Sequence, residues 1–429
     1  MKSFDNILRG REERAEHISR YLVNHEVVIS LKANIPGDNK NIYLAYLIIN
    51  AFSFLVKEFN NNIYDYNFND DGPYLIIPIK FGKANLIKSQ TVNIEETHPL
   101  GRFVDIDIYT KNENISRNKK RSCYLCSNLA AECIREKKHS FDELIEYIKK
   151  NVDEYYSDIL YKIVDESILH ELNLHPKFGL VTPKTSGSHK DMDYTLMLKA
   201  KDAILPYFIR LFFFMLDKEI DDNVILSLKT IGLKAENAML DATNNINAYK
   251  GLIFNLGIII TSFAVKISRY DQRSIFEISK DISYQLLKNI KEESNTFGFR
   301  VFQNYKFPGV RGETLSGFLN VQRTLKLLKS LSDHDKFQAL VNLIINVEDS
   351  TLLKRISDID EYKQIKEKFR KLNLNSTKEI NELNQECIKK SLSFGGSADL
   401  LVLTVFIYLL NRDFYFIINI DKTIKIFDF

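Results

Sequence analysis

The stretch His98–Tyr109, HPLGRFVDIDIY, places two aspartates one residue apart in an otherwise apolar, β-branched run. A strand turns successive side chains to opposite faces. Val104, Ile106 and Ile108 are therefore expected on one face, and Phe103, Asp105 and Asp107 on the other. The apolar face packs into a core and leaves two carboxylates side by side. Their repulsion raises one pKa unless a cation lies between them, and Mg²⁺ is the usual partner of oxygen-only ligands. The same pattern also reads as the wet side of an edge strand in an antiparallel sheet. The preceding Gly101-Arg102 tips the reading toward phosphate, since glycine lets the backbone approach an anion and arginine makes charge-assisted contacts to it.

A chain of 429 residues is longer than one core usually supports, so two domains are expected, 1–150 and 155–429. Lys and Arg number 59 against 56 Asp and Glu, a formal charge of +3. That lacks the concentrated basic excess of a nucleic-acid binder, and no nucleic-acid partner is expected. No apolar run is expected to span a membrane: ILPYFIRLFFFML carries Arg210, and LLVLTVFIYLL is broken by Asn411 and Arg412. The start MKSFDNILRGREER is charged and lacks the apolar core of a signal peptide, so a cytoplasmic protein is expected.

HEVVISLKANI, YLIIPIKF and FVDIDIYT read as strands, with Pro78 suggesting an edge or bulge in the second. LRGREERAEHISRYL and HSFDELIEYIKKN read as amphipathic helices, giving an α+β first domain. From about 155 to 410 the period becomes helical. Phe337, Leu340, Val341, Ile344 and Ile345 follow the capping candidates Ser332 and Asp333, and Leu228, Ile231, Ala235 and Met239 repeat likewise. The second domain is expected to be larger and nearly all helix. EYKQIKEKFRKLNLNSTKEINELNQE reads as a solvated helical pair, and FYFIINIDKTIKIFDF as a terminal hairpin.

Several segments together resemble two known enzyme families. NIPGDNK (34–40), EETHPLGRFVDID (95–107) and RSCYLCSNLAAECIREKKHS (121–140) are similar to the apo-citrate lyase phosphoribosyl-dephospho-CoA transferases. HPKFGLVTPKTSGSHKDMD, ATNNINAYKGLIF, GVRGETLSGF, EDSTLLKR and SFGGSADLLVLT are similar to the triphosphoribosyl-dephospho-CoA synthases. Their order along the chain resembles the fused, bifunctional form. The resemblance implies that the second half joins ATP to 3′-dephospho-CoA with loss of adenine. The first half would then transfer phosphoribosyl-dephospho-CoA to a serine of the citrate lyase acyl carrier protein with release of diphosphate.

Asp105 and Asp107 would hold Mg²⁺, and Gly101, Arg102 and Lys40 would cradle the triphosphate. The G-x-x-x-D-x-D layout is similar to nucleotidyltransferases of the polymerase β type, with Glu95 and Glu96 candidates for a further carboxylate. His98 is a candidate general base for the serine, or a residue that positions the loop. Cys123, Cys126, Cys133 and His139 form C-x2-C-x6-C-x5-H, a candidate zinc set or a group of unpaired thiols in a reducing cell, and Arg121 and Arg135 are candidates for substrate phosphates.

In the second half, His189, Asp191 and Asp193 supply base and metal-ligand types, and Lys177, Lys250 and Arg311 are candidate phosphate ligands. Gly395, Gly396 and Ser397 would open a helix whose amides accept an anion. Glu313 and Asp399 are candidates for a metal or for oxocarbenium-like charge. The chain departs from the synthase pattern in places. Where the family reads T-G-G-V-N-T-H-K-G, it has Asn244, Asn245, Ala248 and Tyr249. Phe178 and Phe394 stand where proline is usual, and Phe297 where histidine is usual. These changes leave a second reading open, in which the helical half is a non-catalytic nucleotide-binding or docking module. A third is a nucleotidyltransferase acting on another acyl carrier protein.

Overall fold

The computed structural model describes residues 2–59, 64–115, 121–288, 309–356 and 358–415. The expected terminal hairpin and Phe297 fall outside them. The chain divides into two compact units. The first groups residues up to Ile159 with Lys266–Gln272 and the stretch from Asn411, and the second takes Leu160–Val265 and Arg273–Leu410.

The first unit is a five-stranded antiparallel sheet with helices. Its elements are α1 (Lys2–Leu22), β1 (Val27–Ala33), α2 (Tyr43–Ala51), α3 (Leu55–Phe59), β2 (Asp65–Asn69), β3 (Gly72–Ile79), α4 (Ala84–Thr97), β4 (Val104–Tyr109), β5 (Asn114–Ile115) and α5 (Ala130–Glu136). The strand order is β2-β3-β1-β4-β5. β4 alternates as its sequence requires, with Val104, Ile106 and Ile108 buried and Asp105 and Asp107 half-buried. Phe103 departs from the expectation that it shares the aspartates' face. It closes a short 3-10 turn, Gly101–Phe103, and packs edge-on to Tyr124 and Tyr147.

Register sets what surrounds the aspartates, because residues directly opposite in an antiparallel pair share a face. Lys32 lies opposite Asp105, and Ser30 opposite Asp107. Further along this face Val28, Tyr74 and Ile76 receive Ile18 of α1, which closes one end over a small apolar cluster. Pro78 sits in an inner strand, opposite Val28 of β1, and not in an edge strand of the sheet.

Helix α6 (Phe141–Leu172) runs for 32 residues, so 150–155 lie inside a helix. The second unit continues with α7 (Tyr194–Met215), α8 (Asp222–Ala242), α9 (Lys250–Ser268) up to Val265, α10 (Ile275–Leu287) and further helices, the last of which, Gly395–Asp413, belongs to it up to Leu410. Sequence caps start several of them. Asp221 accepts from the Val224 amide, Ser332 from the Asp335 amide, and Ser274 with Glu277 forms a reciprocal capping box. Leu228, Ile231, Ala235 and Met239 make the buried stripe of α8 as their spacing requires. The Lys/Glu-rich segment forms the helices Ile359–Lys371 and Thr377–Lys389, solvated except for buried stripes of Tyr362, Ile365, Lys366 and Phe369 on the first and Leu383, Asn384 and Cys387 on the second. The expectation that no apolar run is long enough to cross a membrane is corrected by α9, which passes that test. Leu256, Ile259, Phe263 and Ala264 are wholly buried, so α9 is used as a core helix.

Candidate functional sites

In the first unit the carboxylate pair is flanked by cations from distant parts of the chain. Arg121 places one guanidinium nitrogen 3.1 Å from Asp105 and 2.9 Å from Glu95, and donates to the Val104 carbonyl. Glu95 is buried and its Oε1 also accepts the Ile106 amide, so it orients Arg121 and β4 together. Glu96 is exposed. Asp107 has its pKa raised by burial and by the charge of Asp105, against the pull of Lys88, Arg14 and Arg121. Two adjacent hard-oxygen ligands, one of them short of compensating charge, suit a Mg²⁺ ion.

A second feature of this unit has no motif in the sequence. Asp71, at the β2–β3 turn, is buried and takes Arg14 at 2.7 Å, Lys32 at 2.7 Å and Arg11 at 3.3 Å. Burial alone would raise its pKa, but Lys32, Arg14 and Arg11 hold it below the usual carboxylate value. Lys40 is close by: burial and the Lys32 charge lower its pKa, its ammonium donates to the Ile35 carbonyl, and its backbone abuts Gly72. One carboxylate thus faces four cations. The surplus lies beside Asp105 through Lys32 and acts on Asp107 through Arg14.

Gly101 has a packing reason to be glycine. A Cβ there would stand 2.2 Å from the Glu95 carbonyl oxygen, because the turn lies directly on the end of α4. Gly101→Ala is expected to destabilise the first unit by about 1–3 kcal/mol. Gly232→Ala in α8, where an added Cβ meets nothing within 4 Å, is the control and should be neutral or stabilising. Urea unfolding of the two variants makes the comparison. Arg102 is exposed and donates to the Ser122 and Cys123 carbonyls, with its guanidinium over the Tyr124 ring. His98 is set among Phe52, Phe54 and Tyr155, with ring centroids at 4.3, 6.2 and 5.2 Å. Its Nδ1 accepts the Leu100 amide, and burial lowers its pKa to about 4. The imidazole is neutral at physiological pH and fixes the turn that leads into β4. The donor atoms of Cys123, Cys126, Cys133 and His139 lie within 4.8 Å of one another. Arg135 is on the exposed side of α5.

In the second unit the fixed point is a buried ion pair. Lys177 donates to Glu171 at 2.7 Å, with the two side chains 1% and 4% exposed. Asp399, on the helix Gly395–Asp413, is raised well above the carboxylate range by burial and by the charges of Glu171 and Asp349. An added Cβ on Gly251 would stand 2.2 Å from its carboxylate, so α9 approaches it closely. Tyr249 precedes α9, and its buried hydroxyl has no partner among the described residues. Burial, then Glu171 and Asp399, hold its pKa well above the phenolic value, so it is a neutral donor. Lys177, Asp399 and the residue before Lys250 thus meet around Glu171 and Asp349, which sequence reasoning did not assign.

Gly395–Ser397 do open a helix, and the anion at its start belongs to the chain. The Asp349 carboxylate accepts the Ser397 amide at 2.9 Å and its hydroxyl at 3.0 Å, and also the Thr351 and Leu352 amides. Gly396 leaves the space that carboxylate occupies. His189 donates or accepts at Ser393 Oγ through Nε2 (3.0 Å), and Arg355 donates to its Nδ1. Burial and the Arg355 charge lower its pKa to about 4. Asp191 is exposed 4.0 Å from it, and Asp193 caps α7 through the Leu196 amide. Lys250 is exposed and pairs with Glu236 at 2.8 Å. Arg311 lies in the helix Gly309–Leu315, where Glu313 is buried and accepts the Asn320 and Val321 amides. Asn244 and Asn245 have φ of 53° and 64°, so the two family glycines are replaced by the side chain that best tolerates the left-handed region. Phe178 has φ of 50°, and its ring and that of Phe394 both pack edge-on to Phe369.

The α+β unit carries paired carboxylates beside surplus cations and the helical unit a buried lysine–carboxylate centre, and the families that the two halves match are transferases. Residues 158–416 match the family model described as ATP:dephospho-CoA triphosphoribosyl transferase. Residues 2–155 match that described as apo-citrate lyase phosphoribosyl-dephospho-CoA transferase. The chain belongs to the first of these families and carries the second as its N-terminal domain, in one fused polypeptide. It is similar to the protein called CitXG of Leuconostoc mesenteroides subsp. cremoris, 28% identical over 94% of this chain and 96% of that one. The CitXG protein of Haemophilus influenzae is also 28% identical, over 94% and 95%. A 2-(5''-triphosphoribosyl)-3'-dephosphocoenzyme-A synthase of Haemophilus ducreyi is 30% identical over 66% of this chain and 98% of its own length.

Proposed function

We propose that this chain makes and attaches the prosthetic group of citrate lyase in two steps. In the helical unit the 2′-hydroxyl of 3′-dephospho-CoA displaces adenine from the anomeric carbon of the ATP ribose, forming the triphosphoribosyl intermediate. In the α+β unit a serine of the citrate lyase acyl carrier protein attacks the α-phosphate, and diphosphate leaves. We read both steps as cytoplasmic.

The observation that carries the reading is the carboxylate pair Asp105 and Asp107 set against the surplus charge of Arg11, Arg14, Lys32 and Lys40. Asp105 and Asp107 would hold Mg²⁺, which supplies charge neutralisation at the phosphate and the leaving diphosphate. Arg14, Lys32 and Lys40 bind the polyphosphate, and Arg121 sets the position of Asp105. His98 holds the 98–103 turn rather than moving a proton, since its Nδ1 lone pair is taken by the Leu100 amide and burial makes the ring a weak base. In the helical unit Glu171 and Asp349 stabilise positive charge developing on the ribose, Lys177 fixes Glu171, and Tyr249 donates a hydrogen bond to substrate.

A second reading has a specific observation behind it. Tyr249 replaces the motif histidine with a phenol that holds its proton, which favours a helical unit that binds nucleotide without turnover. The deciding experiment measures adenine release from ATP by the full-length protein with Mg²⁺, with and without 3′-dephospho-CoA, followed by mass analysis of the acyl carrier protein. Release that requires dephospho-CoA is expected. Its absence, with carrier still modified from preformed intermediate, establishes the second reading instead.

A further inference from the structure

We propose that Cys123, Cys126, Cys133 and His139 bind one structural zinc ion, which stands in for a hydrophobic core in residues 121–140 and thereby fixes Arg121 on Asp105. The four side chains come from a single short segment, and their donor atoms all lie within 4.8 Å of one another. Cys126 Sγ is 3.4 Å from Cys133 Sγ and 3.4 Å from His139 Nε2. Tetrahedral zinc, with bonds of about 2.3 Å to sulfur and about 2.0 Å to nitrogen, places its ligands about 3.5–3.8 Å apart. All three cysteines are free thiols. Three sulfurs and an imidazole match the ligand preference of zinc rather than of an oxygen-seeking cation.

The local backbone is shaped around the same point. The Leu125 amide donates to Cys123 Sγ at 3.5 Å, and the Cys123 amide to the Asn128 carbonyl at 2.7 Å, closing a tight turn across the Ser122↔Leu129 bridge. Backbone donors on a ligand sulfur are the usual support of a thiolate. α5 delivers Cys133, then Lys137 turns the chain in the left-handed region at φ 50° toward His139.

Burial supplies the independent argument. Among the described residues from 110 to 147, the buried side chains are Cys123 and Cys133 alone. The apolar residues that would otherwise form a core point outward, with Leu125 and Leu129 36% exposed, Phe141 64% and Ile134 75%. A segment of this length without an apolar interior holds one conformation only when cross-linked or metal-bound. This segment carries functional contacts: Arg121 reaches Asp105 and Glu95, its own carbonyl takes the Ala130 amide, and Arg102 is tied to Ser122 and Cys123.

Metal analysis of untagged full-length protein, purified under reducing conditions from zinc-supplemented cells, is expected to find one zinc per chain. Exchange with Co²⁺ should give the thiolate charge-transfer and strong d–d bands of a tetrahedral sulfur-rich site. Cys126→Ser and Cys133→Ser should lose the metal, while His139→Cys should keep it with an altered cobalt spectrum. Should the serine variants fail to fold, the wild-type cobalt spectrum decides alone. Folded protein that neither contains zinc nor takes up Zn²⁺ or Co²⁺ after reduction would overturn the site, as would full zinc content in the Cys126→Ser, Cys133→Ser double variant. For the link to Arg121, chelator-treated protein should become cleavable by trypsin at Lys137 and Lys138 and recover on adding Zn²⁺. Cleavage that is the same with and without metal overturns the core-replacing role.

Discussion

Asp107→Asn is expected to lower carrier modification by about 10²–10³-fold or more while leaving dephospho-CoA-dependent adenine release at the parental rate. The substitution keeps the shape of the side chain and removes one charge and one anionic oxygen from a site that needs both. It is a cleaner probe than Asp105→Asn, which should also abolish modification but in addition removes one of the anions that hold Arg121, 3.1 Å from Asp105. The same site predicts a pH effect with a definite sign. Burial and Asp105 raise the Asp107 pKa, so its carboxylate takes a proton at a higher pH than an ordinary aspartate, whose value is 3.8. The protonated form binds a cation poorly. Transfer should therefore fall on the acid side beginning above that ordinary value, and adenine release should not share this limb. Intact-mass analysis of the carrier and chromatography of adenine, run on one reaction across pH, test both statements. Loss of the two activities together in Asp107→Asn would refute separate centres.

Lys177→Met should be the most damaging single change in the helical unit, costing about 3–5 kcal/mol. Methionine fills much of the same volume, so the effect isolates charge. It leaves Glu171 buried without its cation and close to Asp399, whose pKa the Glu171 charge already helps to raise. Pairing the change with Glu171→Gln removes the orphaned charge, and the double variant should recover a large part of the loss. Guanidinium unfolding followed by far-UV circular dichroism reads both, with the transition of the helical unit fitted separately because two units need not melt as one. Equal destabilisation of single and double variants would mean that packing, not an uncompensated charge, is what Lys177 supplies.

How much of this was readable from the chain depends on the range of the interaction. β4 could be read residue by residue, since a two-residue period and a buried face leave one register for Val104, Ile106 and Ile108. Ser332 and its helix were legible for the same local reason. Lys32 and Asp71 were not. Neither belongs to a motif, and they meet the aspartates only because β1 pairs with β4 and the β2–β3 turn folds back under α1. Arg121 was noticed as a basic residue, but its partner lies sixteen positions back on another element. Asp349 is the clearest limit. Its segment was recognised, yet its part as the anion at the start of Gly395–Asp413 rests on a contact 48 residues away. Local pattern suggested a helix start ready for a phosphate; tertiary structure had already supplied a carboxylate.

The two departures from the family's prolines, at Phe178 and Phe394, share one ring, that of Phe369. Phe178 also sits at a φ of 50°, which the pyrrolidine ring forbids. Restoring proline at 178 alone would demand a different path for the loop and would strand Phe394 beside a ring that has lost its other neighbour. Phe178 and Phe394 are thus coupled through Phe369, and a change at one alters the cost of a change at the other.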